Sequence, residues 1–132
     1  MELIPYLNFD GRCAEAFRFY HSVLGGTLEV MTFRDSPMAG ELSPEWLDRV
    51  MHARLAVGEA VLMASDTPPG QYAAPQGFAV TINVEDAAEA ERIFRALAEG
   101  GTITMPLEKT FWAERFGMLV DRFGVPWIVN AG

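Results

Sequence analysis

His52 is the residue in this chain best suited to acid–base chemistry, because an imidazole titrates near neutrality and can take or give a proton there. It stands in the run Met51-His52-Ala53-Arg54-Leu55-Ala56-Val57, which reads as a strand. Alternate residues of a strand share a face. Met51, Ala53, Leu55 and Val57 therefore take one face, and His52, Arg54 and Ala56 the other. An imidazole beside a guanidinium suits the polar end of a small ligand. No Asp or Ser stands where it would form a relay with His52, so a structural histidine is the plainer reading of it. His52 is the sole catalytic candidate. His21 reads as solvent-facing on a helix, Asp66 as the cap of a turn, and Cys13 as a buried thiol at a helix start rather than a nucleophile. No Ser-His-Asp order, paired carboxylates or phosphate loop stands out.

The second chemical signal is aromatic. Phe111, Trp112, Phe116, Phe123 and Trp127 crowd into the closing stretch from Met105 to Asn130. It reads as a loop, a strand, a tight turn at Arg122-Phe123-Gly124 and a last strand. So much ring surface suits either a hairpin closing the core or one wall of an apolar pocket.

The elements that must position these residues follow from periodicity and breakers. Leu3–Phe9 reads as a first strand, broken at Asp10-Gly11. A helix over Cys13–Leu24 presents Ala16, Phe19, Tyr20, Val23 and Leu24 at helical spacing and stops at Gly25-Gly26. A second strand spans Thr27–Arg34, and Ser43-Pro44-Glu45 starts a short helix in a surface loop. The third strand turns at Gly58-Glu59 into a fourth, Ala60–Ala64. Ser65–Gln76, rich in Pro, Gly and small residues, is a connector. The fifth strand, Gly77–Val84, places Val80, Ile82 and Val84 on an apolar face and Ala79, Thr81 and Asn83 on a more polar one. Asp86, with Glu89 completing a capping box, opens a second helix with Ala90, Ile93, Phe94 and Leu97 as its stripe. Three more strands follow Gly100-Gly101.

The two halves repeat. Ala16, Phe19, Tyr20 and Val23 align with Ala90, Ile93, Phe94 and Leu97 at one offset, and each helix runs into Gly-Gly-Thr. Each half reads strand, helix, three strands. One helix covers one face of such a sheet. The opposite face, bearing His52, Arg54, Ala79, Thr81 and Asn83, suits a curved sheet lining a cleft.

Composition sets limits. With 132 residues, half of them hydrophobic, the chain fits a single domain with a real core. A net charge of −8 without clustered Lys and Arg argues against nucleic acid and against an anionic membrane surface. No apolar run reaches the roughly 18–20 residues of a membrane span, and no secretory leader is visible. One cysteine rules out an internal disulfide and suits a reducing cytoplasm.

The paired modules resemble the vicinal oxygen chelate superfamily of glyoxalase I, extradiol dioxygenases and bleomycin-resistance proteins, and within it the PhnB-like branch. The resemblance rests on Pro5-Tyr6-Leu7-Asn8-Phe9 with Gly11, Phe19-Tyr20 with Val23-Leu24-Gly25-Gly26, Met51-His52-Ala53 and Leu62-Met63-Ala64-Ser65-Asp66. It rests most on Thr110-Phe111-Trp112, Arg115-Phe116-Gly117-Met118 and Asp121-Arg122-Phe123-Gly124-Val125-Pro126-Trp127. It implies an α+β fold of two βαβββ modules, about 1–66 and 77–132 with a connector at 67–76, in a U-shaped mixed sheet around a cleft. It also implies a homodimer. Members of the branch are often labelled as a demethylubiquinone methyltransferase. Here no strand is followed by a Gly-x-Gly turn and helix for a methyl-donor nucleotide.

Metal-dependent relatives hold a divalent ion with side chains from the first, fourth, fifth and eighth strands. Counting from Phe19-Tyr20 places those positions at Pro5, Met63, Ala79 and Ile128. Neither these nor their immediate neighbours are His, Glu, Asp or Cys, so no metal and no other cofactor is expected. The expected function is binding of an apolar or aromatic small molecule in a metal-free cleft. Tyr6, Met63, Phe78, Trp112, Phe116 and Trp127 would form its walls, and His52, Arg54, Thr81 and Asn83 would orient polar groups. The alternatives are a metal-dependent lyase, isomerase or dioxygenase, an enzyme using His52, or a non-catalytic structural domain.

Overall fold

The repeated order of apolar runs folds as two four-stranded sheets, each with its own helix. The computed structural model describes residues 1–68 and 70–132. Residue 69, in the expected connector, lies outside the described residues. The chain divides into two compact units, Met1–Tyr72 and Ala73–Gly132.

The first unit runs β1 (Tyr6–Phe9), α1 (Cys13–Leu24), β2 (Thr27–Thr32), α2 (Pro44–Leu47), β3 (Val50–Val57) and β4 (Ala60–Asp66). Its sheet order is β1-β4-β3-β2, with β1 parallel to β4 and the other pairs antiparallel. β1 begins at Tyr6 rather than at Leu3, because Pro5 has no amide proton for the ladder. Pro5 still contributes its carbonyl, which accepts from the Met63 amide at 3.1 Å. β2 stops at Thr32, short of Arg34; the chain turns there, and the Thr32 hydroxyl donates to Asp35 Oδ2 at 3.0 Å. β4 continues through Asp66 instead of ending at Ala64.

α1 covers one face of this sheet. Leu7, Phe9, Ala53, Leu55, Leu62 and Ala64 are buried on the sheet side, and Cys13, Ala16, Phe17, Tyr20 and Val23 on the helix side. Periodicity alone favoured Phe19 and Leu24, but both are only half-buried and Phe17 takes the core position. The buried stripe starts a turn earlier, at Cys13, and Phe17 is its i+4 neighbour. Burying each large side chain contributes roughly 1.5–3 kcal/mol.

The second unit runs β5 (Val80–Val84), α3 (Ala87–Ala98), β6 (Thr102–Glu108), β7 (Arg115–Val120) and β8 (Pro126–Ala131), in the order β5-β8-β7-β6. Again the pairing of first and last strands is parallel and the rest antiparallel. Ala90, Ile93, Phe94 and Leu97 are buried on α3, as the periodicity predicts, against a sheet face of Leu119, Trp127, Val129 and Ala131. Asp86 caps the helix, accepting from the Ala88 amide at 3.4 Å. Glu89 does not complete the box; its carboxylate pairs with Arg92 at 2.6 and 3.0 Å. β5 begins at Val80 rather than Gly77.

The Gly-Gly-Thr repeat has a steric cause. A Cβ on Gly26 would collide with the carbonyl of Ala56 in β3, and one on Gly101 with the carbonyl of Val120 in β7. In each unit the helix thus re-enters the sheet at a point where backbone lies against backbone. Among the described residues no helix is long and apolar enough to cross a membrane.

Candidate functional site

Each sheet leaves its other face without a helix, and strand parity decides what stands there. In the first unit one row crosses all four strands. Tyr6 pairs with Met63, Met63 with Arg54, and Arg54 with Glu29. His52 lies one step along β3 on the same face, opposite Met31 of β2. Tyr6 Oη and His52 Nδ1 stand 3.4 Å apart, with ring centroids at 6.0 Å. Tyr6 is 47% exposed, and His52, Arg54 and Met63 are half-buried. Four of the residues singled out from sequence therefore do come together, around a methionine floor. Met31, Asn8 and Ser65 belong to the same face by parity.

The carboxylate at the end of β4 does structural work. Asp66 is buried, and it accepts from the amides of Gly11 at 2.9 Å, Cys13 at 3.1 Å and Val50 at 2.9 Å. It ties the β1–α1 turn and the helix start to β3. Beside it, burial and then the Asp66 charge push the Cys13 thiol up to about 12. A thiol that keeps its proton is no nucleophile at neutral pH.

In the second unit the sequence Thr110-Phe111-Trp112-Ala113 forms a tight turn. The Thr110 hydroxyl accepts from the amides of Trp112 at 3.3 Å and Ala113 at 3.1 Å, and the Thr110 amide donates to the Ala113 carbonyl at 3.0 Å. Ala113 is buried, so the two aromatics are carried at the tip. Phe111 is 97% and Trp112 52% exposed. The rings stack edge to face in series, Phe111 to Trp112 at 4.7 Å and Trp112 to Phe116 at 5.3 Å. Phe116 then opens a row across the helix-free face, pairing with Asn130, which pairs with Asn83. The next row holds Met118, Ile128 and Thr81. Asn130 and Met118 were missed from sequence, and Ile128 was singled out only as a counted metal-ligand position. Their alternation with Trp127, Val129 and Ala131 is the signal that locates them.

Two expected wall residues are corrected. Trp127 is 1% exposed and sits on the α3 face of the sheet, its indole N–H bonded to Asp121 Oδ2 at 2.8 Å. Strand parity, not aromatic character, assigns it to the core. Phe78 lies ahead of β5, outside the sheet, and is 54% exposed.

The same faces carry the strand positions at which metal-dependent relatives would hold an ion. β1 presents Tyr6, not Pro5, opposite Met63, and β5 presents Thr81 opposite Ile128. Neither pair, a phenol with a thioether in the first unit or a hydroxyl with an alkyl chain in the second, makes a divalent-cation donor set. Among the described residues no three of His, Cys, Asp and Glu are grouped as metal ligands would be.

Comparison with known proteins places the chain. Residues 1–130 match the family described as 3-demethylubiquinone-9 3-methyltransferase. Protein YjdN of Escherichia coli (strain K12) is 34% identical over 98% of this chain and 95% of its own. The crystal structure of protein PA1353 from Pseudomonas aeruginosa is 53% identical with a TM-score of 0.91, covering 99% of this chain and 97% of that one. A putative 3-demethylubiquinone-9 3-methyltransferase, PhnB protein, from Bacillus cereus is 24% identical with a TM-score of 0.79, covering 100% of both chains, a likeness of fold. Glyoxalase-related structures share that fold. With two βαβββ units and a match over residues 1–130, the chain belongs to the family described as 3-demethylubiquinone-9 3-methyltransferase, and it has the fold of glyoxalase/bleomycin-resistance proteins.

Proposed function

We propose that the chain binds an apolar or aromatic small molecule against the helix-free faces of its sheets, without a metal. The observation that carries this is the uncovered aromatic series Phe111–Trp112–Phe116, which leads into the Phe116–Asn130–Asn83 row. A flat ring gains roughly 0.5–1.5 kcal/mol per aromatic partner beyond the area it buries. The amides of Asn83 and Asn130 supply donors and acceptors that fix its orientation. In the first unit His52 and Arg54 offer the same service beside Met63. The poor donors at Tyr6 and Met63 in the first unit, and at Thr81 and Ile128 in the second, support the metal-free part of the reading. Methyl transfer, the activity in the family's description, finds no support in a chain without a Gly-x-Gly nucleotide turn. A homodimer in the cytoplasm belongs to the same proposal; the superfamily resemblance and the single cysteine support it.

A thermal-shift screen of flat aromatic compounds, with elemental analysis of the purified protein, tests the reading. A ligand at a hundred times its Kd stabilises by about 2.7 kcal/mol. No shift across a broad aromatic panel, or stoichiometric Zn, Ni, Mn or Fe, contradicts it. The Tyr6–His52 approach favours a second reading, an enzyme with His52 as its acid–base group. That reading requires turnover that His52→Ala abolishes.

A further inference from the structure

Three arginines of the described residues are half-buried: Arg49, Arg54 and Arg115. Arg49 reaches Asp10 at 3.5 Å and lies 4.6 Å over the Trp46 ring. Arg115 meets Glu91 at 3.2 Å. Arg54 has no such partner: among the described residues no hydrogen bond or ion pair engages it. Glu29 stands across the ladder from it in register, and still forms no ion pair with it. A guanidinium that has given up part of its water without gaining a carboxylate is unfavourable unless something else completes it.

What surrounds Arg54 says what that something is. Its neighbours on the same face are Met63, Tyr6 and His52, which is an apolar floor flanked by a phenol and an imidazole. The fork of a guanidinium matches a carboxylate in two parallel hydrogen bonds. The Tyr6–His52 pair, joined between Oη and Nδ1, adds one further donor on that face. The chain as a whole carries −8, so this group of donors runs against the overall field. We infer that the helix-free face of the first sheet takes the carboxylate of an aromatic acid, with Arg54 as its main anchor. This rests on the aromatic-ligand reading above, applied to the first unit's own face with its Tyr6 and His52 rings, and narrows it to acids.

The test uses the full chain and two probes of one shape, 2-naphthoate and the neutral 2-naphthamide, by isothermal titration. Naphthoate binds about tenfold or more tightly than the amide, the scale of one charge-assisted hydrogen bond. R54Q erases that preference, weakening the acid far more than the amide. E29Q, which removes the competing carboxylate, strengthens naphthoate binding several-fold. Raising the salt narrows the gap. If the amide binds and the acid binds no better, or if R54Q leaves the preference intact, the acid site is wrong and the aromatic reading stands. If neither probe binds, both fall.

Discussion

The indole N–H of Trp127 donates to Asp121 Oδ2 at 2.8 Å within the core of the second unit. The other oxygen of Asp121 accepts from the amides of Phe123 at 2.8 Å and Val125 at 3.0 Å. One buried carboxylate therefore shapes the β7–β8 turn and fixes the largest side chain under α3. Asp121→Ala strands these donors, each at roughly 1–3 kcal/mol. The expected loss is more than about 3 kcal/mol, read from the urea midpoint. Trp127→Phe removes one donor and some volume, and costs about 1–3 kcal/mol. A variant at Asp121 with an unchanged midpoint contradicts this role.

The sequence made the elements legible, and their faces less so. α1 and α3, the helix-ending glycines and the succession of strands along the chain emerge from periodicity and breakers, because a 3.6-residue period and a Gly-Gly pair leave few alternatives. Trp127 was misplaced because an aromatic in an aromatic-rich stretch carries no sign of which face it takes. The buried carboxylate of Asp121, six residues away, settles that, and no local pattern announces it. Phe17 was missed because Phe19 lies equally well on a helical stripe until the start of that stripe is known. On the candidate site, His52 and Arg54 follow from the parity of their strand, whereas Met63 follows only from the family resemblance, whose count put Pro5 where Tyr6 stands. The absence of a partner for Arg54 was not legible, since Glu29 in the neighbouring strand looks like one.

The repeated glycines should behave alike. Gly26→Ala and Gly101→Ala each force a methyl into a backbone carbonyl of the neighbouring strand, and Gly26 also sits at φ 86°. Each substitution costs more than about 2 kcal/mol by thermal unfolding. Gly40 has open space where a methyl group would stand, and no positive φ. Gly40→Ala leaves stability within about 0.5 kcal/mol.

Cys13 links stability to alkaline pH. Its thiol is raised from 9.0 to about 12 by burial and by Asp66. The folded chain holds a proton that the unfolded chain gives up above about 9. The thiol's contribution is thus full below pH 9 and is lost as pH rises from there toward 12. Between pH 8 and 10.5 this amounts to about 2 kcal/mol. Comparing denaturation midpoints of the native chain and Cys13→Ala at both pH values isolates the effect, since other groups titrate in both. A thiol reagent at pH 8 reacts only after unfolding.

Removing the exposed rings tests the binding face without touching the core. Trp112 is half-exposed and anchored through its backbone to Thr110, so Trp112→Ala changes stability by less than about 1 kcal/mol. It weakens an aromatic ligand about tenfold, the scale of a lost stacking partner. Equal ligand affinity in this variant places the binding surface elsewhere.

The most direct measurement of the central claim is the affinity of chelator-treated, metal-depleted protein for a flat neutral aromatic ligand from the thermal-shift screen, compared with untreated protein and with the Trp112→Ala, Phe116→Ala double variant. Metal-free binding on an aromatic face predicts equal affinity before and after chelation and a loss of at least tenfold in the double variant. Affinity that disappears with the chelator and returns with a divalent cation, or that is indifferent to both rings, contradicts it.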